Sequence, residues 1–279
     1  VNVQANPQAP AVPSPNGLLL RQDGPVLHLT LNRPEVRNAM SLALVQALRE
    51  ALRQAEGDGH TRVVVLRGAG GHFCAGADLK DMADARMALA QDPQALAKTN
   101  ALFGELCAAF SRTPLATVAV LEGTVMGGGF GLACVADVAL AGEDVAFRLP
   151  EASLGLLPAQ IAPFLVERLG LSEARRLAIT AARLNAAQAL ALHLVHEVHL
   201  NSALDAALTR TLVELLQCAP GAVAATKALM AKARLQAPAS LIEEAAQAFS
   251  AAALGPEGTE GTLAFMQKRR AAWMPADSQ

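Results

Sequence analysis

The stretch Thr117-Val118-Ala119-Val120-Leu121-Glu122-Gly123-Thr124-Val125-Met126-Gly127-Gly128-Gly129-Phe130-Gly131-Leu132-Ala133-Cys134 reads as a buried strand, a glycine turn and the start of an apolar helix. Residues 118–121 are short, apolar and valine-rich, the composition of a strand covered on both faces. Gly127, Gly128 and Gly129 strip the side chains from the turn. A ligand there meets bare backbone N–H groups at a helix N-terminus, where free amides and the helix dipole favour negative charge. Two familiar glycine loops are excluded. No Gly-Lys-Ser/Thr follows, and the third glycine of a dinucleotide loop would fall at Leu132 or Cys134. Taken alone, the turn is equally a tight strand-to-helix connection with no ligand.

A second turn changes that balance. Residues 63–66 form another buried apolar run. It leads into Gly68-Ala69-Gly70-Gly71-His72-Phe73-Cys74-Ala75-Gly76-Ala77-Asp78-Leu79-Lys80, whose end predicts a short helix opening at Asp78. In a parallel sheet two such strand ends lie at the same carboxyl edge, where ligands bind. One N–H from each turn can converge on a single oxygen, as an oxyanion hole requires.

Outward from these turns, 18–21 and 26–31 read as strands around Asp23-Gly24-Pro25, with His28 a sheet residue rather than a ligand. Asn32-Arg33-Pro34 ends the second. Ser41 is a candidate N-cap for a helix to about residue 56, with Leu44, Val45, Leu48 and Leu52 on one face. Strand, helix, strand at this spacing predicts a right-handed parallel crossover. A longer helix is expected over 92–111, a strand over 138–141 and an edge segment over 145–148. Glu151 then stands in the otherwise apolar Leu149-Pro150-Glu151-Ala152-Ser153-Leu154-Gly155-Leu156-Leu157-Pro158-Ala159-Gln160. A solvated loop glutamate is the plain reading. In low dielectric its pKa would rise and it could carry protons near neutrality.

Beyond Gln160 helices are expected over 160–169, 172–180, 186–192, 202–217, 222–235, 241–254 and 256–273. His193, His196 and Glu197 would share a helix face, but His-x-x-His-Glu is not a zinc motif. A short strand joining the sheet to the helices explains it better, so no metal is expected.

The chain has 279 residues and a net charge of −2, which gives no basic footprint for nucleic acid and no strong pull to anionic membranes. Much of its high hydrophobic fraction is alanine, and no apolar run of about 18 residues predicts a membrane helix. Cys74, Cys107, Cys134 and Cys218 make no zinc or redox spacing and read as buried reduced thiols, consistent with a cytoplasmic setting. Residues 1–15, rich in Pro, Ala, Asn and Gln, lack the pattern of a secretory signal and read as a disordered arm or a cloning remnant.

Together these segments resemble the crotonase, or enoyl-CoA hydratase/isomerase, superfamily. The likeness rests on Asn32-Arg33-Pro34 with Asn38-Ala39-Met40, Ala75-Gly76-Ala77-Asp78-Leu79-Lys80, Gly127-Gly128-Gly129, Asp137-Val138-Ala139-Leu140-Ala141, and Leu149-Pro150-Glu151 with Leu154-Gly155. The resemblance implies an α/β fold, a crotonase-like spiral of ββα repeats over 16–200, with a C-terminal helical trimerisation region over 201–279 that builds homotrimers or homohexamers. It implies an acyl-CoA thioester held by the N–H groups of Ala77 and Gly128, with Ala75, Asp78, Leu79 and Gly127 around it. Glu151 matches a catalytic glutamate, Arg37 and Lys80 lie toward the CoA phosphates or adenine, and Phe265 and Lys268 reach a neighbouring subunit's CoA. No cofactor beyond the CoA carried by the substrate is implied.

The departure lies at Gly131, where typical hydratases carry a second glutamate. Single-glutamate relatives include enoyl-CoA isomerases and hydratases of bulky branched enoyl-CoAs. Leu157-Pro158-Ala159-Gln160-Ile161-Ala162-Pro163-Phe164 is similar to the branched-chain hydratases, such as the isohexenylglutaconyl-CoA hydratases. Gly131 is expected to free space for a larger or carboxylated acyl group, and Gln160 to help place a water. Hydration is favoured, by resemblance, over isomerisation. A relative that only binds acyl-CoA is the alternative of another class. RNA binding is disfavoured because the 41–56 helix has no lysine.

Overall fold

The computed structural model describes residues 12–13 and 16–275. Its strands are β1 (Val12–Pro13), β2 (Leu18–Asp23), β3 (Val26–Leu31), β4 (Val63–Gly68), β5 (Ala116–Leu121), β6 (Thr124–Met126), β7 (Val138–Gly142), β8 (Ala146–Arg148), β9 (Arg183–Asn185) and β10 (Glu197–His199). Its α-helices are α1 (Leu42–Gly57), α2 (Leu79–Met87), α3 (Ala95–Arg112), α4 (Gly128–Val135), α5 (Ala162–Thr180, broken at Gly170, where the sequence predicts a gap between two helices), α6 (Ala186–Ala191), α7 (Leu204–Gln217), α8 (Pro220–Ala233), α9 (Ile242–Leu254) and α10 (Pro256–Met266). The arm expected over 1–15 lies outside the described residues, apart from β1, which pairs antiparallel with β2.

The main sheet runs β1-β2-β3-β4-β5-β7-β10 and a smaller one β6-β8-β9. From β3 to β10 neighbouring strands are parallel, and α1 makes the expected crossover between β3 and β4. The apolar runs of β4 and β5 follow from burial on both faces. Val64, Leu66, Ala119 and Leu121 face α1 and α3, whereas Val63, Val65, Val118 and Val120 face Leu204, Ala207 and Leu208 of α7. Leu44, Val45, Leu48 and Leu52 bury the inner stripe of α1. Ser41 Oγ caps it by accepting from the Leu44 N–H at 3.2 Å, as the sequence predicts.

The strand over 118–121 does not run straight into the glycine turn. The chain leaves the main sheet at Gly123 (φ 50) and forms β6 in the second sheet before α4 begins. A Cβ at Gly123 would stand 2.3 Å from the Gly71 carbonyl oxygen, so only glycine makes this corner against the earlier turn. His72 Nδ1 accepts from the Thr124 N–H at 3.1 Å and ties the two segments together.

The segment around His196 is the short strand expected of it. β10 pairs in parallel with β7, and the His196 backbone N–H and Nδ1 bracket Ala139, each at 2.9 Å. Glu197 accepts from His199 and Arg210 instead. Among the described residues no cluster of three or more His, Cys, Asp or Glu is placed to hold a metal. Cys74 and Cys107 are buried, and burial pushes the Cys74 thiol up to about 12. Cys218 is exposed, against expectation, because it caps the end of α7 at the surface.

The last helix also ends earlier than expected, at Met266 rather than near residue 273. Arg269 grips Glu260 through two hydrogen bonds of 2.6 and 2.8 Å, and the Ala272 N–H joins the same carboxylate. This reverses the chain. Trp273 returns to donate to the Gln217 carbonyl at 2.9 Å, and its own carbonyl accepts from Arg62 at 2.6 Å. Lys268 therefore lies past the helix in a left-handed conformation (φ 54).

Candidate active site

The site is assembled by two bridges between loops. Asn38, fully buried and left-handed at φ 57, donates from Nδ2 to the carbonyls of Ala69 (2.8 Å) and His72 (2.7 Å), and its Oδ1 accepts from the Arg33 N–H (2.8 Å). It thereby ties the loop after β3 to the loop after β4. Met40 and Ala77 then form an isolated parallel bridge, as do Cys74 and Val125. The Met40 N–H donates to the Gly76 carbonyl and the Asp78 N–H to the Met40 carbonyl. Backbone groups alternate in direction along an extended chain, so the Ala77 N–H points away from Met40.

The two glycine turns meet face to face. A Cβ on Gly127 would lie 3.6 Å from the Gly76 Cα, and one on Gly76 would lie 3.3 Å from the Met126 carbonyl oxygen. Ala77 and Gly128, the residues that follow Gly76 and Gly127, both line one cavity of about 580 Å³. The Gly128 N–H opens α4, where a helix has no internal acceptor.

Glu151 lines the same cavity from the short turn after β8. The Gly127 N–H donates to the Arg148 carbonyl at 3.2 Å and holds that turn in place. The carboxylate closes on the glycine turn, because a Cβ on Gly127 would sit 3.0 Å from Glu151 Oε1. Oε2 is buried and has no partner among the described residues. Burial pushes the Glu151 carboxyl above its usual range, offset in part by its own backbone N–H.

The other acids of the cavity wall are engaged. Asp78 caps α2 by accepting from the Lys80 N–H (2.9 Å) and pairs with Arg33 (2.7 Å). Burial raises its pKa, but Arg33 and the Lys80 amide outweigh that and leave it below the carboxylate norm. Asp81 accepts from the Leu42 N–H. The rest of the wall is chiefly apolar, with Leu42, Val45, Met82, Leu89, Leu96 and Leu156 in it.

Ala77, Asp78, Gly128, Glu151 and Gln160 all line this one cavity. Ala75 lies behind them, its N–H donating to the Arg37 carbonyl at 2.9 Å. Arg37, Leu79 and Lys80 are exposed outside the cavity wall, Leu79 by 74%. Phe265 is 85% exposed on α10 and, like Lys268, does not line the cavity. Gly131 does not free space as expected. A Cβ there would stand 2.3 Å from Ile161 Cγ2, so Ile161 already fills that volume.

Sequence reading missed one face of α3. Asn100, Phe103, Gly104 and Cys107 follow the spacing of a single helix stripe. Gln160 Nε2 donates to Asn100 Oδ1 at 2.9 Å. Phe103 packs on Gly128, Gly104 seats the Gln160 side chain, and Cys107 lies behind Gly131. The available signal was Gly104 itself, a costly residue inside a helix.

Residues 21–276 match the family model described as enoyl-CoA hydratase/isomerase. The chain belongs to the enoyl-CoA hydratase/isomerase family. Among its relatives, the 2,3-dehydroadipyl-CoA hydratase of Escherichia coli K12 is 31% identical over 90% of this chain and 96% of its own length. Among solved structures, Pseudomonas aeruginosa AtuE is 52% identical, covering 93% of this chain and all of its own, with a TM-score of 0.89. An enoyl-CoA hydratase/isomerase from Marinobacter aquaeolei is 48% identical, covering 92% of this chain and 98% of its own, with a TM-score of 0.87. The α/β crotonase architecture expected from the motifs is the fold of this family member, and the family acts on acyl-CoA thioesters.

Proposed function

We propose that this chain is an enoyl-CoA hydratase that adds water to a branched or extended 2-enoyl-CoA, with Glu151 as its single catalytic carboxylate. The observation that carries the reading is the sharing of one apolar cavity by the Ala77 and Gly128 turns and the unpartnered oxygen of Glu151. In this reading the thioester oxygen accepts from the two N–H groups. Glu151 takes a proton from water, the hydroxide oxygen bonds to the β-carbon, and the double-bond electrons move onto the thioester oxygen as an enolate. The enolate collapses as the α-carbon takes the proton back from Glu151. Each oxyanion donor of this kind is worth about 3 kcal/mol of barrier. The raised pKa of Glu151 suits both halves of the cycle.

A second reading rests on Gly131, which stands where typical hydratases carry their second glutamate. One carboxylate suffices to move a proton between the α- and γ-carbons, so 3-enoyl to 2-enoyl isomerisation is the alternative. In both readings Arg37 and Lys80, exposed outside the cavity wall, lie toward the CoA phosphates or the adenine, and Gln160 borders the acyl group. Exposed apolar residues on α8 to α10, among them Met230, Phe249, Leu254 and Phe265, support a homotrimer or homohexamer in which Phe265 and Lys268 reach a neighbour's CoA. The protein is read as cytoplasmic.

Incubation with straight and branched 2-enoyl- and 3-enoyl-CoAs in heavy-oxygen water, followed by mass spectrometry, tests this function. Heavy oxygen in a 3-hydroxyacyl product supports hydration. Double-bond migration without oxygen uptake replaces it with isomerisation. CoA-ester binding with no turnover across the panel replaces both with a binding protein.

A further inference from the structure

The cavity wall carries a polar pair that takes no part in the proton transfers proposed for Glu151. Gln160 Nε2 donates to Asn100 Oδ1 at 2.9 Å, and both residues line the cavity. That bond leaves both hydrogens of Asn100 Nδ2 and one of Gln160 Nε2 without a protein acceptor among the described residues, and because Asn100 is exposed, water pairs them in the free chain. The pair is built rather than incidental. Gln160 lies across α3 where Gly104 has no side chain, and a Cβ there would stand 2.0 Å from Gln160 Oε1. An interior helix glycine is unfavourable in itself, so the seat is made at a cost. Phe103, which packs against Gly128, lies three residues from Asn100 on the same helix face. Asn100 thus lies about one helical turn, roughly 5 Å along α3, before the residue whose ring packs on Gly128.

We infer that the Asn100–Gln160 amide pair recognises an acceptor oxygen carried on the acyl chain a few carbons beyond the reacting double bond. This rests on the acyl-CoA reading above and adds to it a chemical class of substrate. A plain hydrocarbon chain lying on the pair would displace that water and leave the three N–H groups unpaired, which is how a polar site rejects an apolar analogue. An oxygenated chain pairs them. Among the described residues no lysine or arginine lines the cavity, so recognition is by amide dipoles, and ketone and carboxylate oxygens share the chemistry.

The test compares three 2-enoyl-CoAs of equal chain length, bearing a terminal methyl, a methyl ketone or a carboxylate, with the wild-type chain, Asn100→Leu, Gln160→Met and Gly104→Ala. The ratio of kcat/KM for an oxygenated chain over the hydrocarbon is expected to fall roughly 10- to 100-fold in each variant. Whether the ketone or the carboxylate shows the larger fall identifies the oxygen. An equal loss on all three chains would overturn the inference, since that is the signature of a structural role. Titration calorimetry with the three saturated acyl-CoAs keeps the two proposals separable. If no enoyl-CoA turns over, the hydratase reading fails, while a preference for oxygenated chains that the variants lose still supports the amide pair. Equal binding of the three chains by the wild type overturns it.

Discussion

Ile161 Cγ2 stands 2.3 Å from the point where a side chain on Gly131 would begin. The missing side chain in α4 and the isoleucine before α5 are two halves of one packing solution. Alanine at 131 would gain about 0.5–1 kcal/mol of helix stability but lose about 1–3 kcal/mol to overpacking. Gly131→Ala is therefore expected to be destabilising in the wild-type chain. In an Ile161→Ala background the same change is expected to be neutral or favourable, because Cγ2 is gone. A urea-unfolding double-mutant cycle reads the sign reversal, and additive effects would show that the two residues do not compete for space.

Glu151 supplies the pH dependence. Its pKa is raised by burial, so the carboxylate needed as base is lost when pH falls through that raised value. The acid limb of kcat/KM is expected above the ordinary glutamate range of about 4.3. Glu151→Gln is expected to lower kcat about 10²- to 10⁴-fold and abolish that limb. The stability sign runs the other way. Between the unfolded and the raised folded pKa the native state holds the extra proton, so stability falls as pH rises across that window. Glu151→Gln should then melt higher than the wild type at pH 7 and show a flatter pH dependence, as scanning calorimetry at several pH values would report.

Asn38 is the residue on which the loops depend. Asn38→Ala leaves the Arg33 N–H and the carbonyls of Ala69 and His72 without their partner in a fully buried position. The expected cost is about 3 kcal/mol or more. Because the Met40–Ala77 bridge follows directly, activity is expected to fall even where the variant remains folded. Chemical denaturation together with turnover at low temperature checks both effects.

Much of this was readable in the chain because each feature carried a local signal. β4 and β5 are buried on both faces, and such strands must be continuous apolar runs. The two glycine turns announced Ala77 and Gly128, and an acid in an apolar stretch announced Glu151. What stayed hidden depends on approach between distant segments. The switch of sheets at Gly123 is made by a close contact with Gly71, and Thr124–Met126 looks like more of the same strand. Ile161 entering the Gly131 space follows from how α4 and α5 meet. The early end of α10 is set by an ion pair nine residues long, Glu260 to Arg269, which no helical periodicity reveals.

Gly127 joins the backbone to the chemistry. Its φ of 50 and ψ of −116 lie where a side chain is strained, at a cost of order 1–3 kcal/mol. A Cβ would also press on Glu151 Oε1 at 3.0 Å. Gly127→Ala thus strains the turn that presents the Gly128 N–H and displaces the carboxylate at the same time. Both proposed groups act at the transition state, so kcat is expected to drop about tenfold or more while KM moves little. Gly155→Ala is the control. It shares a positive φ of 71, but its added Cβ meets nothing within 4 Å. With ψ of 22 it lies in the left-handed helical region that side chains tolerate, so it should lose less stability and retain most of its turnover. Steady-state kinetics and thermal melts of the two variants separate backbone strain from disturbance of the site, and an equal loss of kcat in both would remove Gly127 from the catalytic argument.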